Sequence, residues 1–130
     1  MEYDYGEYPT MAAAGNGGVW CSVDELRKYV EAMKNCTFLD CETIKRSQTI
    51  WIPENWKSAK PPGQGFCWFI HGPMTNEKNV GIEHAGDQAG FRAHLMMFPD
   101  ADLTVIWLSN NEQVYSNPVL KILTSLKYLK

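Results

Sequence analysis

The spacing of apolar residues changes twice along this chain of 130 residues, and each change marks a shift of local structure. Val23, Leu26, Val30 and Met33 recur three or four residues apart, which predicts an amphipathic helix. Ser22 and Glu25 stand just ahead of this run in the S-x-x-E order of a capping box. Lys28 and Lys34 add positive charge toward the helix C-terminus, where the helix dipole favours it. A second, shorter helix is expected from Asp40, with Ile44 and Ser47 on one side, ending before Pro53. The stretch ENWKSAKPPGQG then reads as loop from its proline and glycine content.

Beyond it the period becomes that of strands. GFCWFI (Gly65 to Ile70) is aromatic and β-prone, Asn79 to Glu83 is a short candidate, and FRAHLMMF (Phe91 to Phe98) is a longer one. LTVIWLS (Leu103 to Ser109) follows after PDAD, Pro99 to Asp102, a turn that makes the last two runs a hairpin. LTVIWL is apolar at odd and even positions alike, so both of its faces are expected to be covered, with helices on each side of the sheet. Asn117 and Pro118 fit the N-cap and first position of a closing helix whose apolar stripe is Val119, Ile122, Leu126 and Leu129. The expected fold class is α+β: an antiparallel sheet flanked by helices, in one region spanning residues 1–130.

Composition narrows the function. Hydrophobic residues make up 45% of the chain, enough for a packed core, and the formal net charge is -3. No basic cluster is longer than Lys45-Arg46, so nothing points to nucleic acid or to an anionic membrane surface. No apolar run approaches membrane-spanning length, and MEYDYGEYP at the start is acidic and aromatic, the reverse of a signal peptide. The four cysteines, Cys21, Cys36, Cys41 and Cys67, form no CxxC pair. Cys36 and Cys41 would bridge in an oxidising compartment; small buried hydrophobes are the favoured expectation for them.

Chemistry concentrates in GIEHAGDQAGFRAH, Gly81 to His94, where a histidine and three glycines sit at the junction of two strand-like runs. Read alone, this is either a hairpin turn that contains a histidine or one wall of an active site. His71, His84 and His94 are scattered over separate segments with no HxH or HxxxH spacing, so a metal site is not expected, and no cofactor is called for. Alternation in FRAHLMM puts Arg92, His94 and Met96 on one face and Ala93, Leu95 and Met97 on the other, making His94 a structural or surface residue. The five tryptophans are core candidates, with Trp68 the one nearest the supposed site.

AAAGNGGVWCSVDELRKYVEAM (Ala12 to Met33), GFCWFI, EHAGDQAGFRAHLMMFPDADLTVIWLSN (Glu83 to Asn110) and the closing helix resemble, in order, the C-terminal part of the serine β-lactamase-related hydrolases. That family includes class C β-lactamases, D-alanyl-D-alanine carboxypeptidases, D-aminopeptidases and esterases. The resemblance implies a partial β-lactamase/transpeptidase-like fold and acyl transfer to a serine, with a β-lactam, D-peptide or ester as substrate. Its Lys-Thr-Gly or His-x-Gly motif would be His84-Ala85-Gly86. His84 would join the hydrogen-bond network that takes the serine proton and holds the substrate carboxylate, a task suited to imidazole. Ala85 and Gly86 would be small because substrate lies along that strand. Asp87 would give its backbone N–H to the oxyanion hole. Its acid side chain would weaken such a hole unless it turned away. Arg92 would help bind a substrate carboxylate if its face lined the cleft.

The family's other two motifs, Ser-x-x-Lys and Tyr-x-Asn or Ser-x-Asn, precede His-x-Gly. No serine here has lysine three residues on. Thr75 to Lys78 has the spacing with threonine but falls in loop-like sequence, and Tyr115-Ser116-Asn117 follows His84 instead of preceding it. The expected function is therefore that of a C-terminal fragment, inactive alone and prone to self-association through apolar surface that its missing part would cover. Completed, it would take a small-molecule or peptide substrate. The alternative is a non-catalytic binding or scaffold module that keeps the fold. Members of this family mostly work in the periplasm or cell envelope.

Overall fold

The computed structural model describes residues 19–51, 63–71, 80–88, 90–111 and Ser125. Helix α1 runs Val23–Lys34 and α2 runs Cys41–Ser47; the strands are β1 Gly63–Gln64, β2 Phe69–His71, β3 Gly81–Gln88, β4 Phe91–Phe98 and β5 Leu103–Ser109. The strands form one antiparallel sheet in the order β1-β2-β3-β4-β5, a simple meander. The α+β expectation is met in these elements. The closing helix predicted after Asn117 lies outside the described residues apart from Ser125.

Helix α1 starts where its capping box places it. Ser22 Oγ accepts the Glu25 N–H at 3.3 Å, and the Glu25 carboxylate accepts the Ser22 N–H at 2.7 Å. Asp24 pairs with Arg27 and Lys28, and Arg27 pairs with Glu31, so the polar side of the helix is a chain of exposed ion pairs. Val30 and Met33 form its buried side. At its C-terminal end Lys34 reaches Asp102 in the β4–β5 turn at 2.7 Å, tying helix to sheet. Asp40 caps α2 by accepting the Thr43 N–H at 2.8 Å.

Cys36 and Cys41 are disulfide-bonded, which corrects the expectation that they act as unbridged hydrophobes. The link between the helices is short, and Cys36 adopts a left-handed φ of 53°, bringing the two Cα atoms within 5.2 Å. Cys21 and Cys67 are free thiols.

GFCWFI is not one strand. Its first four residues form a tight turn in which Gly65 N–H donates to Trp68 O at 2.9 Å and Cys67 takes a φ of 63°. Only Phe69 onward is strand, and β1 pairs back onto it. Gly65 is required there: a Cβ would come within 2.2 Å of the Ser47 carbonyl oxygen, which caps the turn by accepting the Phe66 N–H at 2.8 Å. Strand β3 departs the other way and runs on through Gln88, where Glu83 was the expected end.

The apolar core lies between the helices and one sheet face. Val30, Met33 and Ile44 pack with Trp68, Ile70, Ile82, Leu95 and Met97. Each such fully buried side chain stabilises by roughly 2 kcal/mol relative to exposure. Met96, Phe98 and Val105 form a separate buried cluster on the opposite face. Both faces of the β4–β5 hairpin are thus apolar, as LTVIWL implies, and the described helices cover one of them.

Candidate functional site

Residues alternate across β3 and β4, and this sorts the candidate side chains. His84 and Gly86 share the helix-covered face with Ile82, and register sets Leu95 opposite His84 and Ala93 opposite Gly86. Glu83, Ala85 and Asp87 point to the other face, with Arg92, His94 and Met96 of β4. His84 is exposed, just past the end of the core. Its ring meets Trp68 edge-on, with centroids 6.3 Å apart and planes at 89°.

Strand β2 begins only at Phe69, after the Gly65–Trp68 turn. It pairs with β3 only through Gly81, Ile82 and Glu83, so among the described residues His84 to Gln88 pair on the β4 side alone. Their outer backbone edge is the kind of edge to which an extended ligand adds as a strand. Among the described residues, a Cβ placed on Gly86 would meet only the Ala93 methyl, at an ordinary 3.5 Å. Phe91 on the same face packs against Trp20 with ring centroids 4.8 Å apart, forming an aromatic wall at the hairpin end.

The opposite face holds the rest of the expected set. Asp87 and Arg92 are cross-strand partners whose side chains form a 2.9 Å ion pair. Ala85, Gly86, Asp87, Arg92, Ala93, His94 and Trp107 line a hollow of about 240 Å³ there. Arg92 therefore does not stand beside His84. The negative charge of Asp87 is turned away from the His84 face and paired with Arg92. Ala85 also faces away, leaving Gly86 as the small residue next to His84 on its own side.

Sheet register also assembles a group that sequence spacing gives no sign of. Glu83 Oε1 lies 2.6 Å from His71 Nε2, close enough for an ion pair but off the line of a directed hydrogen bond. Glu83 Oε2 is hydrogen-bonded to His94 Nε2 at 2.7 Å. Burial pushes the Glu83 carboxyl up, but the His94 hydrogen bond and the two imidazoles close beside it outweigh burial and hold the pKa below the ordinary 4.5. Among the described residues no group of three His, Cys, Asp or Glu is arranged to hold a metal ion.

Three of the described serines have structural partners. Ser22 caps α1, Ser47 Oγ donates to Ile44 O at 2.7 Å, and Ser109 Oγ accepts the Asn111 N–H at 3.0 Å. Thr75 to Lys78 and Tyr115 to Asn117 lie outside the described residues. No helix among the described residues is long and apolar enough to cross a membrane. Comparison with protein-family models, with curated proteins and with solved structures finds no match to this chain.

Proposed function

We propose that this chain is the C-terminal part of a β-lactamase-related serine hydrolase, with His84-Ala85-Gly86 as the strand wall of an acyl-transfer site. The serine nucleophile and its lysine belong to sequence outside the chain. Substrate, a β-lactam, D-peptide or ester, extends along the outer edge of β3. His84 exchanges protons and hydrogen bonds at its side, and the Asp87 N–H faces charge developing on the acyl oxygen. The observation that carries the reading is the β3 edge from His84 to Gln88, which among the described residues pairs with β4 alone, beside an exposed imidazole and the small Gly86–Ala93 pair. A strand edge, a titratable group and small neighbours are what an acyl-transfer wall needs.

Without a nucleophile no acyl-enzyme forms. The isolated chain is therefore expected to take no covalent label from a fluorescent penicillin or a fluorophosphonate. Protein made from the whole native reading frame is expected to label on a serine upstream of Met1, and His84→Ala is expected to slow that labelling. A whole-frame protein that never labels, yet folds as a defined soluble species and binds a ligand without turnover, would instead be a binding module.

A further inference from the structure

Three ionisable side chains from three neighbouring strands meet on the face behind His84. Glu83 of β3 stands between His71 of β2 and His94 of β4, at 2.6 and 2.7 Å, and the side chains of His71, Glu83 and His94 are only 22%, 16% and 19% exposed. Register explains how they reach each other. His71 lies opposite Gly81 and His94 opposite Ala85, so each imidazole leans over a small partner toward the glutamate diagonal to it. β2 is three residues long and pairs with β3 through three register positions, with Ile70 in the core on one face, so a side-chain tie on the other face adds to its hold. Trp68, the residue just before β2, lies on the other face with its ring edge-on to His84.

We propose that His71, Glu83 and His94 form a proton-dependent clasp that holds β2 on β3 and thereby positions Trp68 against the His84 imidazole. Its meaning for catalysis rests on the acyl-transfer reading; the clasp itself does not. Ionised, the carboxylate holds His94 by a hydrogen bond through Oε2 and His71 by close contact through Oε1. Protonated, it loses that charge, and two donor imidazoles face a group that is itself a donor. The lowered pKa of Glu83 keeps the clasp closed into mild acid. Among the described residues, other charges along this face are few. Asp87 on β3 and Arg92 on β4 pair with each other, and the β5 residues of this face, Leu103, Val105, Trp107 and Ser109, are uncharged.

NMR on the whole chain tests this through the ring-to-ring NOE between Trp68 and His84, followed from neutral pH downward. The NOE is expected to persist through mild acid and to vanish as Glu83 protonates, while the amide signals of α1 stay in place. His71→Asn cuts only the β2 arm and is expected to abolish the NOE at every pH. His94→Asn cuts the β4 arm and is expected to keep it. An NOE that survives in His71→Asn, or in the wild type once Glu83 is protonated, overturns the proposal. None of these readings involves turnover, so a failed clasp leaves the acyl-transfer reading standing, and the converse also holds.

Discussion

Asp87 and Arg92 join β3 to β4 by a 2.9 Å ion pair on the sheet face turned away from His84. The Asp87 side chain is 55% exposed, so solvent screens much of the attraction, and such pairs contribute about 0–1 kcal/mol. A double-mutant cycle of Asp87→Ala and Arg92→Ala, read by urea denaturation, is expected to give a coupling energy in that range. Arg92→Ala is expected to cost more than Asp87→Ala, because Arg92 makes further interactions and is 16% exposed. Equal costs would mean that the pair is the main contribution of Arg92.

Glu83 makes stability pH-dependent in a definite direction. Its folded pKa lies below its ordinary 4.5, so its contribution is fully present above that value and is lost as pH falls through the folded pKa. Urea midpoints of the wild type are expected to fall with acidification in this window more steeply than those of Glu83→Gln. Parallel pH profiles would show that the glutamate is not coupled to folding.

The Cys36–Cys41 bond closes a loop with a sequence separation of 5. Loop-closure entropy for so short a loop corresponds to about 2 kcal/mol. The double variant Cys36→Ala/Cys41→Ala is expected to lose roughly that much in equilibrium denaturation, and a reducing agent is expected to do the same to the wild type. A reducing agent that leaves the wild-type midpoint unchanged would contradict a closed bridge.

Phe98 is 0% exposed and anchors the cluster with Met96 and Val105 on the second sheet face. Phe98→Ala is expected to cost about 3–5 kcal/mol, enough to unfold a marginal domain. Ser22→Ala removes the α1 cap and is expected to cost about 1 kcal/mol. If thermal or chemical melting showed the two variants to be equally stable, the second cluster would not be a packed core.

Local chemistry made some elements legible and tertiary pairing hid others. Ser22 and Glu25 announce α1 because both halves of a capping box lie within one turn of chain. β4 and β5 begin and end where their apolar runs do, because Pro99 to Asp102 is unambiguous turn sequence. GFCWFI misleads because its aromatic residues favour strand, while the Gly65–Trp68 turn depends on a left-handed Cys67 that no local signal announces. Ala85, Gly86 and Asp87 are poor strand formers, yet seven register positions with β4 carry β3 through them.

The candidate site divides in the same way. His84 stands out in sequence because small residues, Ala85 and Gly86, follow it. The His71–Glu83–His94 group could not, since its members come from three strands and meet only once register is fixed. Alternation alone separates Asp87 and Arg92 from His84, but only after Ala85 to Gln88 are known to be strand and not turn.

The most direct test of the acyl-transfer reading is the native DNA sequence upstream of the Met1 codon. The predicted result is a continuous open frame encoding Ser-x-x-Lys and then Tyr-x-Asn or Ser-x-Asn, ahead of His84. A stop codon directly upstream, with neither motif in frame, would contradict it and leave His84 beside a strand edge with no nucleophile to serve.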